Sequence, residues 1–225
     1  MIRQIKILPP LKTPDAVRFK LHATFDSYCD TALFWKQTDS GALLGMLDGH
    51  LLLDGGCTAD AELRDFVDCL QPDSIFTTPE ILMVLGRCPR ETVWVLTADG
   101  KDGEPEPTDP LSSGEIYGLL SVDGLSLPDY PAFAVDYCRR LNHGWATVFA
   151  KREKGAAVTL VHGDFALLNG LASHQKGFGS LALQNVLIQQ KGRTVLVCCR
   201  TELCGFYEKN GFVRTGQAAY WVKHT

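Results

Sequence analysis

Two closely spaced glycines stand where a strand-like run turns into a helix-like run. The turn reads His174-Gln175-Lys176-Gly177-Phe178-Gly179-Ser180, after the apolar run 165–172 and before the helical pattern 181–190. Glycine lets a backbone approach an anion closely, and the first turn of a helix offers unpaired N–H groups and a positive dipole end. Lys176 adds a positive charge. The turn predicts a phosphate-binding site, although glycines that only allow tight strand–helix packing would produce the same pattern.

A second motif, Phe206-Tyr207-Glu208-Lys209-Asn210-Gly211-Phe212, follows about thirty residues downstream. Together the two segments resemble the GNAT superfamily of acyl-CoA-dependent N-acyltransferases, which carries Arg/Gln-x-x-Gly-x-Gly/Ala at its central helix and Tyr-Glu-Lys-x-Gly-Phe later. Residues 207–212 fit the second pattern without a gap. Gly177-Phe178-Gly179 fits the first, with His174 in place of the Arg or Gln. The resemblance covers roughly residues 130–225.

The resemblance implies an α+β fold with a mixed central sheet flanked by helices, and acetyl-CoA as the cofactor. A strand of that fold splays away from its neighbour, and its free backbone groups meet the pantetheine amides. The turn then holds the pyrophosphate. The implied cofactor-binding residues are Leu171, Ala172, Ser173, His174, Lys176, Gly177, Phe178, Gly179, Ser180 and Arg200. Arg200 has two other interpretations, recognition of an acidic acceptor or capping of the next helix.

By the same resemblance, Tyr207 is the catalytic residue. A tyrosine hydroxyl near the thioester sulfur donates a proton to the departing coenzyme A thiolate, and general acid help of this kind contributes roughly 10²- to 10⁴-fold. The alternative is an aromatic side chain that only packs its helix on the sheet. The general base is not evident: Asp164, His162 and Asn169 lie on or beside the relevant strand, and Asp164 also fits a hairpin turn after Gly163.

Composition excludes several classes of function. The chain has 225 residues, a net charge of −4 and no basic stripe interleaved with aromatics, so we expect no nucleic-acid partner. No apolar run approaches the roughly 20 residues of a membrane span, and the first residues do not read as a signal peptide. Eight cysteines occur without a Cys-x-x-Cys pair or clustered histidines, so we expect no metal site and a reducing, cytoplasmic location.

The sequence contains two related halves joined by a Pro-, Gly- and acid-rich stretch. Residues 32–36 and 51–55 match residues 147–151 and 166–170 at an offset of 115 positions. The first half has Thr58-Ala59-Asp60-Ala61-Glu62 where the second has its glycine turn. We therefore predict a degenerate GNAT-like domain over 1–104, a linker over 105–113, and an acetyl-CoA-binding catalytic domain over 114–225.

Periodicity and turn residues predict the elements that position these motifs. In the first half we expect strands near 32–37, 42–46, 50–53, 73–77 and 92–97 and a helix near 60–70. In the second half we expect helices near 114–120, 129–142, 178–190 and 201–210. The strands of the second half are expected near 145–152, 156–162, 165–172 and 194–199, with a final strand pair over 213–223.

The leading hypothesis is an N-acetyltransferase that acts on a primary amine of a small molecule or an amino-acid-like acceptor, as a monomer or homodimer. The second is a non-catalytic acyl-CoA-binding protein of the same fold, because His174 replaces a usual Arg or Gln and no base is evident. A dinucleotide-binding oxidoreductase is disfavoured, since no Gly-x-Gly-x-x-Gly stands in a repeated strand–helix unit.

Overall fold

A computed structural model describes residues 1–55, 61–122 and 125–223. The chain divides into two compact units that are not contiguous in sequence. Unit 1 comprises Met1–Val95, Cys199–Glu202 and Thr215–Thr225, and unit 2 comprises Leu96–Cys198 and Leu203–Arg214. The expected division was linear along the sequence, whereas unit 1 includes two segments from the second half of the chain.

Unit 1 contains a mixed sheet with helices on both faces. Its elements are β1 (Ile2–Gln4), α1 (Ala16–Tyr28), β2 (Leu33–Gln37), β3 (Leu43–Leu47), β4 (His50–Asp54), α2 (Ala61–Leu70), β5 (Ser74–Thr77) and α3 (Pro79–Val84). The strand order within the unit is β1-β2-β3-β4-β5-β11, where β11 is Val213–Val222. Strands β4 and β5 are parallel and the other pairs are antiparallel.

Unit 2 repeats this plan. Its elements are the end of β6 (Glu91–Asp99), α4 (Ser113–Leu120), α5 (Tyr130–Asn142), β7 (Ala146–Lys151), β8 (Gly155–His162), β9 (Phe165–Ser173), α6 (Phe178–Gln189), β10 (Thr194–Cys199) and α7 (Thr201–Lys209). The strand order is β6-β10-β9-β8-β7. Two antiparallel pairs are followed by one parallel pair, β9–β10, as β2–β3 and β3–β4 are followed by β4–β5 in unit 1.

Each unit therefore takes its last strand from the other half of the sequence. Residues 219–222 of β11 pair antiparallel with residues 74–77 of β5, although β11 follows the second half of the chain. The strand pair expected over 213–223 is instead this one long strand. The internal duplication predicted from the 115-residue offset is confirmed by the matching order and directions of the strands.

The segment expected as a linker packs along unit 2. The Glu106 N–H donates to Asn185 Oδ1 at 2.6 Å, and the Asp109 N–H donates to the Ala150 carbonyl at 2.9 Å. Asp109 Oδ2 accepts the Arg152 N–H at 2.8 Å. The segment thus runs beside the edge strand β7 and satisfies some of the backbone groups that an edge exposes.

Alternating side chains divide the core of unit 2 into two layers. On one face of the sheet, Ile116, Leu120 and Tyr137 of α4 and α5 pack against Ala150 and Val158. On the other face Phe178 of α6 stacks on Phe149, with ring centroids 5.9 Å apart. Helix α6 is thereby held flat against β7–β9, which fixes the position of its N-terminal turn.

Unit 1 contains a partly buried ion pair at the end of β4. Arg18 Nε donates to Asp54 Oδ2 at 2.6 Å, and only 11% of the Asp54 side chain is exposed. Burial raises the pKa of Asp54, repulsion from Asp15 adds to this, and Arg18 opposes both. Asp54 corresponds to Asn169 at the 115-residue offset.

Replacing Arg18 by methionine is expected to lower the free energy of unfolding by about 2–4 kcal/mol, because it leaves a buried carboxylate without its cation. Since the pKa of Asp54 is raised already, the loss should be greatest above the pH at which the carboxyl ionises and should shrink in acid, where it is protonated. Urea denaturation of both proteins at several pH values measures this loss in the free energy of unfolding. Arg214→Met, which breaks an exposed pair with Glu208, is the matched control and should cost less than about 1 kcal/mol; equal losses in both variants would contradict the account.

Candidate functional site

An opening between β9 and β10 forms the main cleft of unit 2. The parallel pairing runs from Thr194–Phe165 to Val197–Leu168, whereas β9 continues to Ser173. Across its other edge β9 remains paired with β8 as far as Gly155–Ser173. Residues 169–173 therefore turn one edge toward the opening, as the resemblance implied.

A β-bulge marks the point where the two strands separate. Val158 is opposite Gly170 while Thr159 is opposite Leu168, so Asn169 is the extra residue. Asn169 is exposed, although its neighbours Leu168 and Gly170 are buried. A bulge bends its strand and disrupts the regular ladder, which accounts for the divergence of β9 from β10 at this position.

The cleft has a volume of about 420 Å³ and is lined by β9, the glycine turn and α7. Eight of its residues were predicted from the sequence: Leu171, Ser173, His174, Lys176, Gly177, Gly179, Ser180 and Tyr207. Gln175, Leu203 and Phe206 line it as well and were missed. Leu203 had a readable signal, because a residue four positions before Tyr207 on a helix lies on the same face.

The turn before α6 has the geometry of an anion cradle. Gly177 is the N-cap of α6 and has φ of +87°, a left-handed conformation that favours glycine. Ser173 Oγ donates to the Gln175 carbonyl at 2.9 Å and closes the approach from β9. The N–H groups of Gly179 and Ser180 lie in the first helical turn, where no intrahelical acceptor exists. They are available to an anionic ligand.

Three of the predicted cofactor residues, Ala172, Phe178 and Arg200, are not among the residues that line the cleft. The Phe178 side chain is buried against Phe149, and its N–H donates to the Gln175 carbonyl at 3.1 Å. The Ala172 side chain points to the α4–α5 face of β9 and belongs to that hydrophobic core. The cofactor contacts predicted for these two residues use backbone groups, which the direction of a side chain does not decide.

Arg200 is the third predicted cofactor residue outside the cleft lining. It belongs to unit 1, where its Nε donates to Glu91 Oε1 at 2.6 Å. This hydrogen bond raises the pKa of Arg200, so the group stays charged and is engaged with a carboxylate. Arg200 does not line the cleft of unit 2.

His174 lies at the cleft, but its ring is engaged with a helix. The ring Nε2 is 2.8 Å from the Leu119 carbonyl near the end of α4. The backbone N–H of His174 donates to the Lys154 carbonyl at 2.8 Å. A carbonyl only accepts, so Nε2 carries a proton in this contact. Only Nδ1 remains for a phosphate, and it donates only when the imidazole is doubly protonated.

The second sequence motif is a helix C-cap that holds Tyr207 in place. The Phe212 N–H donates to the Tyr207 carbonyl at 3.1 Å and the Gly211 N–H to the Glu208 carbonyl at 3.1 Å. Gly211 has φ of +94°. The rings of Phe212 and Tyr207 are in contact, with their centroids 5.7 Å apart. This is a Schellman motif with its accompanying apolar contact. The spacing of Tyr, Gly and Phe thus follows from the geometry of the cap.

Charge and apolarity are distributed unevenly over the cleft lining. Lys176 and His174 stand at the glycine turn, whereas Leu171, Leu203, Phe206 and Tyr207 form the less polar part of the lining. Tyr207 is only 7% exposed and lies edge-on to Phe206. Among the residues that the structure describes, the lining contains no carboxylate. Such a cleft favours a ligand with an anionic end and a longer, less polar arm.

Two candidate bases are distant from the cleft. Gly163, with φ of +55°, and Asp164 form the two-residue turn between His162 of β8 and Phe165 of β9. Leu171 lies six residues along β9 from Phe165, which is roughly 20 Å at the rise of an extended strand. Asp164 is therefore a hairpin residue, and His162 lies at the same distant end.

Unit 1 has side-chain contacts at the position that corresponds to the start of the opening. At the equivalent end of the β4–β5 pairing, the Thr77 hydroxyl donates to the Leu53 carbonyl within the core. The Arg18–Asp54 pair lies directly after it. The segment Thr58-Ala59-Asp60, expected to replace the glycine turn, lies outside the described residues.

The described residues offer neither a metal-binding cluster nor a membrane-spanning helix. Residues 1–55, 61–122 and 125–223 contain no group of three or more His, Cys, Asp or Glu side chains that could hold a metal ion. No helix in that part of the chain combines the length and apolar character needed to cross a membrane.

Comparisons with known proteins give structural matches alone. No family model matches the sequence, and no curated protein matches it significantly. A GCN5-related N-acetyltransferase from Sphaerobacter thermophilus matches at TM-score 0.56 and 13% identity, over 84% of this chain and 79% of the other. A tandem GNAT protein from the clavulanic acid biosynthesis pathway matches at TM-score 0.55 and 11% identity, over 96% and 89%.

A third match, a protein described as a putative acetyltransferase from Pyrococcus horikoshii, has TM-score 0.54 and 9% identity, over 92% of this chain and 78% of the other. At such low identity the likeness concerns the fold, and the tandem match agrees with the repeated units. The chain therefore has the GNAT fold, in a tandem arrangement of two related units.

Proposed function

We propose that this protein transfers an acetyl or related acyl group from coenzyme A to a primary amine of a small or amino-acid-like acceptor. The observation that carries the proposal is the cleft of unit 2, where the glycine turn, the free edge of β9 and Tyr207 converge. The turn would hold the pyrophosphate. The edge of β9 would pair with the pantetheine amides as an added strand does.

Tyr207 supports the chemical step of the proposal. In direct transfer, the amine nitrogen forms a bond to the thioester carbonyl carbon, the carbon–sulfur bond breaks, and the thiolate takes up a proton. Tyr207 lines the same cleft, where its hydroxyl would serve as the general acid for the sulfur. The amine's proton would leave through water, since the described residues that line the cleft include no carboxylate.

The test is release of coenzyme A thiol from acetyl-CoA in the presence of a panel of amines and amino acids. We expect release that depends on both the amine and the protein. Cys29, Cys69, Cys88 and Cys138 are exposed, so each reaction needs a matched blank without acetyl-CoA. Mass spectrometry of the acceptor distinguishes acyl transfer from simple thioester hydrolysis.

Two observations favour a second candidate, a non-catalytic acyl-CoA-binding protein. The described residues of the lining include no carboxylate base, and the His174 ring is bound to α4. Acetyl-CoA would then bind without thiol release from any amine. Binding combined with a measurable rate would reject this candidate in favour of the enzyme.

A further inference from the structure

The last turn of α4 is anchored on β9, across that strand from the cleft. A Cβ placed on Gly170 would lie 3.6 Å from Leu120 Cδ2, so Leu120 packs directly over Gly170. Successive side chains of a strand point to opposite faces. Leu171 and Ser173 line the cleft, whereas Gly170 and Ala172 face α4. Helix α4 therefore ends beside the bulge where the cleft opens.

The His174 side chain supplies a second anchor to the same turn. The final carbonyls of a helix lack intrahelical donors. Two of the neighbouring carbonyls are served locally, since the Ser121 N–H donates to Tyr117 and the Val122 N–H to Leu120. The Leu119 carbonyl is 2.8 Å from His174 Nε2. A histidine N–H at a helix C-terminus is favourable, more so when the ring is charged.

The backbone of His174 is tied to two neighbouring segments. Its backbone N–H donates to the Lys154 carbonyl at 2.8 Å, which ties it to the turn between β7 and β8. It also directly follows Ser173, whose hydroxyl organises the glycine turn. One residue thus joins the proposed phosphate cradle to the end of α4.

We infer that His174 is a positioning residue for the acceptor: it holds the last turn of α4 so that the amine meets the thioester at the bulge. The inference rests on the proposed function. A cofactor in the cleft occupies the side of β9 that Leu171 and Ser173 face. An acceptor that does not displace it approaches from the side covered by α4. Loosening α4 therefore weakens acceptor binding more than cofactor binding.

The direct test is hydrogen exchange in α4 without any ligand. In His174→Ala the amides of the last turn of α4 should exchange about fivefold faster than in the wild type, as expected for one lost hydrogen bond. His174→Gln keeps a terminal N–H at similar reach and should restore slow exchange. Lys176→Gln, at the other end of the turn, should leave α4 unchanged.

Kinetics separate a positioning role from phosphate binding. His174→Ala should raise the KM for the amine about fivefold while the Kd for acetyl-CoA stays near the wild-type value, and His174→Gln should recover most of the loss. Lys176→Gln should show the reverse pattern. A raised Kd for acetyl-CoA in His174→Ala, with unchanged exchange in α4 and unchanged KM for the amine, would overturn the inference.

The two proposals fail in different ways. Unchanged exchange in α4 of His174→Ala overturns the inference whether or not the wild type is active. A wild type that releases no thiol with any amine, together with faster exchange in the variant, rejects the transferase and leaves only the structural anchor, which overturns the acceptor role as well.

Discussion

Replacing Tyr207 by phenylalanine is expected to lower kcat by about 10²- to 10⁴-fold at saturating substrates, the usual contribution of a positioned general acid. The ring should stay in place, because its contacts with Phe206 and Phe212 and the C-cap around Gly211 do not involve the hydroxyl. The Kd for acetyl-CoA should change little. Steady-state kinetics with calorimetric titration of acetyl-CoA measures both quantities.

Tyr137→Phe is the matched control for this prediction. Tyr137 is 8% exposed, close to the 7% of Tyr207, but it packs between α5 and the sheet and does not line the cleft. Burial raises the pKa of Tyr137 to about 12, so its hydroxyl remains protonated. Its loss should leave kcat near the wild-type value. Full activity of Tyr207→Phe at saturating substrates would show that Tyr207 is not the acid.

Replacing Gly179 by aspartate should raise the Kd for acetyl-CoA by at least about 100-fold. A carboxylate at the first turn of α6 would stand beside the pyrophosphate, and like charges in direct contact cost on the order of several kcal/mol, where each ~1.4 kcal/mol is tenfold in Kd. The new Cβ would also lie 3.2 Å from Phe206 Cζ and push that ring toward the cleft. Isothermal titration calorimetry measures the change.

Two variants separate the components of this effect. Gly205→Asp places the same charge on α7 at an exposed position with nothing within 4 Å of the added Cβ, and should leave the Kd nearly unchanged. Gly179→Ala adds only the Cβ beside Phe206 and should have a smaller effect than aspartate. Circular dichroism checks that each variant is folded. Wild-type affinity in folded Gly179→Asp would refute the cradle.

Most regular elements of the second half could be predicted from the sequence. Helix α6 begins at the glycine turn, and α7 ends at Lys209, shortly before Gly211, because the Schellman cap requires a left-handed residue at that position. The 115-residue offset predicted a repeated unit because the matched segments are strands with the same pairing order. Eight of the predicted residues line one cleft because they belong to local motifs at the ends of elements.

Most features of the structure that the sequence did not reveal depend on long-range contacts. Strand β11 pairs with β5, more than a hundred residues away, and no local pattern encodes that exchange. Helix α1 was missed, although Asp15 caps it by accepting the Arg18 N–H at 2.7 Å. The direction of the Ala172 side chain depends on the bulge at Asn169, and the Arg200 contact depends on Glu91.

The most direct test of the account is the stability of the folded protein with and without acetyl-CoA. At a ligand concentration of about 100 times Kd, a single site in unit 2 should raise the free energy of unfolding by roughly 2.7 kcal/mol. Gly179→Asp should show no increase at the same concentration. Urea denaturation at fixed protein concentration measures both. An unchanged free energy of unfolding for the wild type with acetyl-CoA and with longer acyl-CoAs would contradict the central claim that this cleft binds the cofactor.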